Sequence, residues 1–402
     1  MKPMKVYLDN AATTQVDKRV SKLVEKYSEK EFGNPGSIHS IGQKAKTALE
    51  SARATIAKKI NADPNEIIFT SGGTESNNMA IKGIAYSVMQ STGKKGRIIT
   101  SRFEHLAVLN CCKQLEKEGF KVSYVGVDKD GFVKIDELKR AIKPETILVT
   151  IMHANNEIGT IQNITEIGKI CAQNKISFHL DAVQSFAKVP IDVKKSNISL
   201  ASLSAHKIHG PRGIGVLFVR QGTRLKRLLE GGEQEFGLRP GTENVAGAVG
   251  FAEAANLMKQ TDITKMQKLR DHMIQRIAKE IPACRLNGSQ KNRLCNNINI
   301  SFDFVEGEAV ILHLDKLGIS ASTGSACTSH KLEPSHVLAA IGVPAHKSHG
   351  SIRLSLSKYT TKQEIDYAVD CLKKVIELLR KISPISQLKQ MHNELQKKKE
   401  VR

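Results

Sequence analysis

The stretch "NEIIFTSGGTESNNMAIKGIAYSVM" (65–89) decides how the rest of the chain is read. It begins as an apolar strand, passes through a turn of small residues and continues as a helix. The scheme recurs in "GRIITSRFEHLAVLNCCKQLEKEGFKVSYVGV" (96–127), which reads strand, loop, helix, strand. "TILVTIMHANNEIG" (146–159) is a β-rich run ending in a polar loop, and "ITEIGKICAQNKISFHLDAVQS" (164–185) is helix, strand and polar loop. "IGVLFVR" (214–220) is one more strand. Strands alternating with helices predict an α/β fold with a mainly parallel sheet. Residues 15–60 read as helical, with apolar residues at helical spacing in "GQKAKTALESARATIAKKI" (42–60).

Beyond about residue 260 the pattern changes. A long helix (263–281) precedes short strands at 296–302 and 350–357, and a last helix (362–382) closes the unit. A small α+β domain is expected there. The boundaries read as 15–260 for the large domain and 1–14 with 261–402 for the small one. A mobile loop falls at about 321–335.

Of the 402 residues, 40% are hydrophobic and 25% charged, which is ordinary for a globular protein. No apolar stretch approaches the length of a membrane span. The start, "MKPMKVYLDNAATT", has no apolar core of a signal peptide, so a cytoplasmic location is expected. The net charge of +21 raises a nucleic-acid partner, but the basic residues are spread among Asp and Glu. Aromatic residues are 4%, too few for base-stacking platforms, so no direct nucleic-acid contact is expected. The seven cysteines include no CxxC pair, which argues against a disulfide framework or a zinc site.

In a parallel α/β sheet, ligands bind beyond the carboxyl ends of the strands. After the strand at 66–70 come Ser71, Gly72, Gly73 and Thr74, leading into a helix. Small residues there admit an anion to backbone N–H groups, though alone the segment reads equally as a capped turn. His105 follows the next strand. Asn155, Asn156 and Glu157 follow the run at 146–154, and Asp181 with Gln184 follow "ISFHL". An acid ending an apolar strand is partly buried and needs a partner. "SLSAHKIHGPRG" (202–213) then places Lys207 just past a strand, between His206 and His209. A lone loop lysine is ordinarily solvated. A phosphate cradle, a buried acid, a histidine, asparagines and an amine together are what pyridoxal phosphate requires. Lys207 is then the lysine that bonds the cofactor, Asp181 the partner of its ring nitrogen, and Ser204 and His206 phosphate contacts. Cys327 lies in "ISASTGSACTSHKLEPSH" (319–336), rich in small polar residues, and reads as an exposed thiol on a flexible loop. The other six cysteines read as lying in helix- or strand-like segments.

The chain resembles the cysteine desulfurases of the NifS/IscS group, class I. The resemblance rests on "YLDNAATT", "FGNPGSIHS", "FTSGGTESNN", "EHLAV", "HANNEIGTIQ", "FHLDAVQS", "SAHKIHGPRGIG", "RPGTENV", "STGSACTS" and "SIRLSLS", in order from about residue 5 to 380. It implies the fold of the aminotransferase-like pyridoxal-phosphate transferases, fold type I. It implies a homodimer that converts L-cysteine to L-alanine and passes sulfur as a persulfide on Cys327 to an acceptor, such as an iron–sulfur scaffold or a tRNA-thiolation enzyme. By the resemblance, His105 stacks on the cofactor ring, and Gln184 and Asn156 lie on its hydroxyl side. Gly73, Thr74, Ser204 and His206 hold the phosphate, and Thr242 is given to the phosphate of the other subunit. Arg353 grips the substrate carboxylate. No metal ligand is implied. An aminotransferase or a selenocysteine lyase on the same fold is the alternative, and a role for Cys327 separates the first of these. Pro240 stands where many relatives carry Ser. The tail "SPISQLKQMHNELQKKKEVR" (383–402) does not resemble the scaffold-docking tail of the group.

Overall fold

The computed structural model describes residues 4–323 and 334–382. Cys327, most of the 321–335 segment and the tail lie outside them. The chain divides into two compact units. One comprises Thr13–Asn156 and Thr160–Gln260, the other Met1–Ala12, Glu157–Gly159 and the residues from Thr261 on.

The first elements are β1 (Val6–Tyr7), α1 (Lys18–Glu29), α2 (Ser40–Lys59), β2 (Ile67–Thr70) and α3 (Gly73–Thr92). Next come β3 (Arg97–Ser101), α4 (Leu106–Lys117), β4 (Lys121–Val125), α5 (Ile135–Ala141), β5 (Thr146–Met152) and α6 (Ile164–Gln173). They are followed by β6 (Ser177–Asp181), β7 (Leu200–Ser204), β8 (Gly215–Val219) and α7 (Val245–Leu257). The last are α8 (Gln260–Glu280), β9 (Cys284–Leu286), β10 (Asn297–Phe302), α9 (Gly307–Lys316), β11 (Ile319–Ser320), α10 (His336–Ala340), α11 (Ala345–Ser348), β12 (Ser351–Ser355) and α12 (Lys362–Ile382).

In the larger unit a seven-stranded sheet runs β2-β8-β7-β6-β5-β3-β4. β8 is antiparallel to both its neighbours and every other pair is parallel, so the remaining six strands run one way. β5 is buried at every position but Ile147 and β7 is wholly buried, as expected of strands covered on both faces. Helix α3 packs across β5, β7 and β8 and beside α4. Met79, Ile81 and Ile84 of α3 meet Ile98, Leu148 and Leu217 of the sheet in one apolar cluster. α3 ends at Gly93, whose left-handed φ of 68° lets its N–H reach Met89 O.

The smaller unit holds an antiparallel sheet, β12-β10-β9, and a parallel pair, β1-β11. Its core joins Leu269 and Met273 of α8, Ile298 and Ile300 of β10, and Ile365 and Leu372 of α12. No helix among the described residues is long and apolar enough to cross a membrane.

Two expectations need correction. Residues 30–39 are not helical but separate α1 from α2. Asn34 Oδ1 accepts from Gly36 N at 2.8 Å there, a turn closed by its own side chain. Cys295 lies in the turn before β10 rather than in a strand, although it is buried.

Candidate active site

The six co-directional strands bring their carboxyl ends to one edge of the sheet. Beyond β2 lie Gly73 and Thr74, beyond β3 His105, beyond β5 Asn156, at the end of β6 Asp181 with Gln184 after it, and at the end of β7 Ser204, His206 and Lys207. The sheet therefore gathers nine of the candidate residues, drawn from sequence positions more than a hundred residues apart.

Asp181 is 5% exposed. Its Oδ2 accepts from Asn77 Nδ2 at 2.8 Å and its Oδ1 from Val183 N at 3.0 Å. Both donors are neutral, so the carboxylate is oriented but its charge is not cancelled by them. Asn77 is itself buried, one turn along α3 from Gly73. Sequence reading missed it; the signal was its place one helical turn beyond the small-residue turn.

His105 caps α4, its Nδ1 accepting from Ala107 N at 3.1 Å. That bond leaves the ring proton of the neutral imidazole on Nε2. Burial and the nearby Lys207 charge hold the ring below the usual histidine range, against the pull of Asp181. His105 thus feels the charges of both Asp181 and Lys207. Beside them Glu104 is fully buried, accepting from Ser101 Oγ at 2.5 Å. Burial, with a smaller push from Asp181, raises its carboxyl to about 8 against the bonds from Ser101 and the Met152 amide. Glu104 was also missed, since a glutamate in a polar loop reads as surface.

Lys207 closes a single helical turn, Ala205–Lys207, directly after β7 and is half-buried. The chain from Thr13 to Asp17 stitches this turn in place. Thr14 donates from N and Oγ1 to His206 O at 3.0 and 2.9 Å, and its Oγ1 accepts from His209 N at 2.7 Å. His206 Nδ1 lies 3.2 Å from Thr13 Oγ1. Burial, with Lys207, Arg212 and Lys188, lowers the His206 ring to about 4, so it is neutral at physiological pH.

At the start of α3 the amides of Gly73, Thr74 and Glu75 precede the first intrahelical bond, from Ser76 N to Gly72 O, and point out of the helix end. A Cβ on Gly73 would stand 2.6 Å from Val183 Cγ2, so only glycine lets this end close onto the segment after Asp181. Ser204 is buried and pairs with Gly215 in the β7–β8 ladder; Gln184 is buried and Asn156 half-buried.

Three candidates do not follow a strand of this sheet in the chain. Thr242 is exposed, in the segment before α7. Arg353 lies on β12 of the smaller unit, 3% exposed, its Nη2 2.9 Å from Asp9 Oδ1. Asp9, in the "YLDNAATT" stretch, was not singled out from the sequence. Cys327 lies outside the described residues.

The family model for aminotransferase class-V matches residues 6–368. A protein of Dictyoglomus turgidum named cysteine desulfurase IscS is 52% identical over 95% of this chain and 97% of its own. One of the same name from Methanosarcina thermophila is 50% identical over 95% and 94%. Among solved structures, a NifS-like protein superposes with a TM-score of 0.87 at 38% identity, covering 93% of this chain and 100% of its own. SspA in complex with cysteine gives 0.80 at 38% identity, covering 89% and 100%.

Proposed function

The chain belongs to the class-V aminotransferase family as a cysteine desulfurase, and from that premise we propose how its residues divide the work. The observation that carries the assignment is Asp181, a buried carboxylate held by two neutral donors at a strand end, with His105 within its field and that of Lys207.

This donor set fits pyridoxal phosphate. A buried carboxylate with only neutral donors suits a protonated ring nitrogen. The free first-turn amides of α3 suit a phosphate. Bound there, the cofactor supplies an electron sink for the α-carbon of an amino acid. Gly73 and Thr74 hold the phosphate with Ser204 and the neutral His206, and Thr242 of a second copy adds a hydroxyl, making the working form a homodimer. Gln184, Asn156 and His105 would hold the cofactor ring, Gln184 and Asn156 through their amides and His105 through its imidazole. The amine of Lys207 would be the group that attaches the cofactor, and as a free amine it would take the proton from the substrate α-carbon. Arg353 binds the substrate carboxylate through its planar fork, and Asn156 assists.

Sulfur leaves L-cysteine for the thiolate of Cys327. The substrate C–S bond breaks and an S–S bond forms on Cys327. The bonding pair stays with the substrate carbon, which takes up a proton and leaves as L-alanine. Sulfur is oxidised to the persulfide level as carbon is reduced, so no outside oxidant is needed. The persulfide then passes to an acceptor protein of iron–sulfur assembly or tRNA thiolation in the cytoplasm.

The test is direct. Protein incubated with pyridoxal phosphate and borohydride should carry the reduced cofactor on the peptide containing Lys207, and Lys207→Ala should carry none. A reduced adduct on any other lysine, or an adduct persisting in the variant, refutes the assignment.

A further inference from the structure

Away from the strand-end cluster, α2 of the larger unit holds a buried ionic group, Arg53. It is 3% exposed. Its guanidinium forms two parallel bonds to Glu235, Nη1 to Oε2 at 2.8 Å and Nη2 to Oε1 at 2.9 Å. Nη1 also donates to Ile67 O at 2.5 Å, and Glu235 Oε2 accepts from Phe69 N at 2.7 Å. Two rings, Phe69 and Phe236, each lie with their centroids 5.0 Å from the guanidinium carbon.

The backbone at the far end of this pair is strained. Glu235 and Phe236 have φ of 48° and 58°, and Gly237 follows at 74°. Two successive side-chain-bearing residues in the left-handed region persist only where their surroundings over-determine them. Phe236 is also 56% exposed, so burial of its ring does not hold it there. The Arg53 guanidinium and the Phe69 amide together anchor the Glu235 carboxylate at the start of the turn. A buried ion pair gains little net stability over an apolar one, but it fixes one geometry.

The turn leads straight into the segment that ends in Thr242. Arg239 Nε bonds to Glu75 Oε1 at 3.0 Å, in the first turn of α3. Gly241 N donates to Gln234 Oε1 at 3.1 Å, which closes the loop on itself. Thr242 emerges exposed. The chain is thus pinned at Glu235, at Arg239 and at Gly241, and its next side chain faces outward.

We propose that Arg53 and Glu235 are positioning residues that set Thr242 for the cofactor phosphate of the partner subunit. The inference rests on the reading of Thr242 given above. It makes a distinctive demand: damage to Arg53 should weaken the site on the other chain, not its own. Arg53 also touches β2, the strand that leads into this chain's own Gly73 and Thr74, so a merely structural role would weaken its own site.

Mixed dimers separate the two. In the first, a chain carrying both Arg53→Lys and Lys207→Ala is paired with an unaltered chain, so the only attachable site faces the altered loop. In the second, an Arg53→Lys chain is paired with a Lys207→Ala chain, so the attachable site faces an intact loop. Pyridoxal phosphate is titrated and the borohydride-fixed adduct on Lys207 quantified. The expected result is about tenfold weaker binding in the first dimer, as for loss of one charge-assisted bond geometry, and unchanged binding in the second. Equal loss in both, loss only in the second, or loss in neither overturns the proposal. Glu235→Gln, which keeps the side-chain shape, is tested in the same two arrangements and decides the matter should Arg53→Lys fail to form dimers. Thr242→Ala is the control. If it acts on the partner's site while Arg53→Lys and Glu235→Gln do not, this proposal fails alone. If Thr242→Ala leaves the partner's site unchanged, the reading of Thr242 fails and the proposal with it.

Discussion

Asn77 donates through Nδ2 to Asp181 Oδ2 at 2.8 Å, and both side chains are buried. The bond joins α3 to β6, and with Val183 N on the other oxygen it fixes the plane of the carboxylate. A hydrogen bond to a charged group contributes about 1.5–3 kcal/mol, and its loss leaves a buried oxygen without a donor.

Asn77→Ala should therefore bind pyridoxal phosphate about tenfold more weakly while folding normally. Asn77→Asp should be worse, because it sets a second carboxylate against Asp181 in a buried place. Asp181→Asn should keep some cofactor and lose most turnover, since an amide does not hold a ring proton as a carboxylate does. Cofactor titration with alanine production reads all three. Wild-type affinity in Asn77→Ala removes Asn77 from the site, and near-normal alanine production by Asp181→Asn removes the electron-sink role of the acid.

Glu104 makes a prediction about pH. Its folded carboxyl is raised from the ordinary 4.5 to about 8, chiefly by burial. Between these values the folded chain holds a proton that the unfolded chain has released. Stability from this group is then fully present below about pH 4.5 and falls as pH rises to about 8, above which the loss is complete. Glu104→Gln has the same shape and no such proton. The stability of the variant relative to wild type should rise across that window, as read from denaturant unfolding at several pH values. Parallel pH profiles for the two proteins contradict a protonated Glu104.

Much of this candidate site was legible in the sequence, for a physical reason. Strands buried on both faces are largely apolar runs, so "TILVTIM" and "LASLS" mark themselves, and whatever polar residue ends them is at the edge where ligands bind. Lys207, Asp181 and His105 were picked out as candidates that way. The direction of β8 was not legible, because an apolar run has no polarity. The break between α1 and α2 was overrun by helical periodicity on both sides, although Gly33, Asn34 and Pro35 stood in the gap. Short α5 went unnoticed for want of a long period. Pairs such as Arg53 with Glu235, or Arg353 with Asp9, join residues far apart in the chain and exist only once the fold brings them together. Arg53, Glu235 and Asp9 alone each read as an ordinary surface charge.

The Arg353–Asp9 pair yields a kinetic prediction. Arg353 is nearly inaccessible, and Asp9 holds its Nη2 at 2.9 Å, which fixes the direction of the fork. Asp9→Asn keeps a hydrogen-bond acceptor and removes the charge. KM for L-cysteine should rise about tenfold, with cofactor affinity unaltered, because the substrate carboxylate and not the cofactor depends on that fork. An unchanged KM, or a loss of cofactor in parallel, excludes this role for Asp9.

The last prediction concerns which thiol takes the sulfur. A thiol attacks as thiolate, and none of the other six cysteines is exposed. Cys111, Cys112, Cys171, Cys295 and Cys371 are buried, and Cys284 is half-buried. Burial pushes the thiols of Cys111 and Cys171 up to about 12, and raises those of Cys112 and Cys284. At neutral pH these four are protonated almost entirely. Cys327, in a run of small polar residues, has no such apolar surroundings in its own sequence. Protein treated with L-cysteine should carry one extra sulfur on the peptide containing Cys327, removable by reductant and visible by mass spectrometry. Cys327→Ser should retain the cofactor and its yellow colour, still respond spectrally to L-cysteine, and release no sulfur. A serine hydroxyl is far harder to deprotonate and does not hold a persulfide. Label on Cys111, Cys112 or Cys295, or sustained alanine and sulfide production by Cys327→Ser, would show that the sulfur travels by another route.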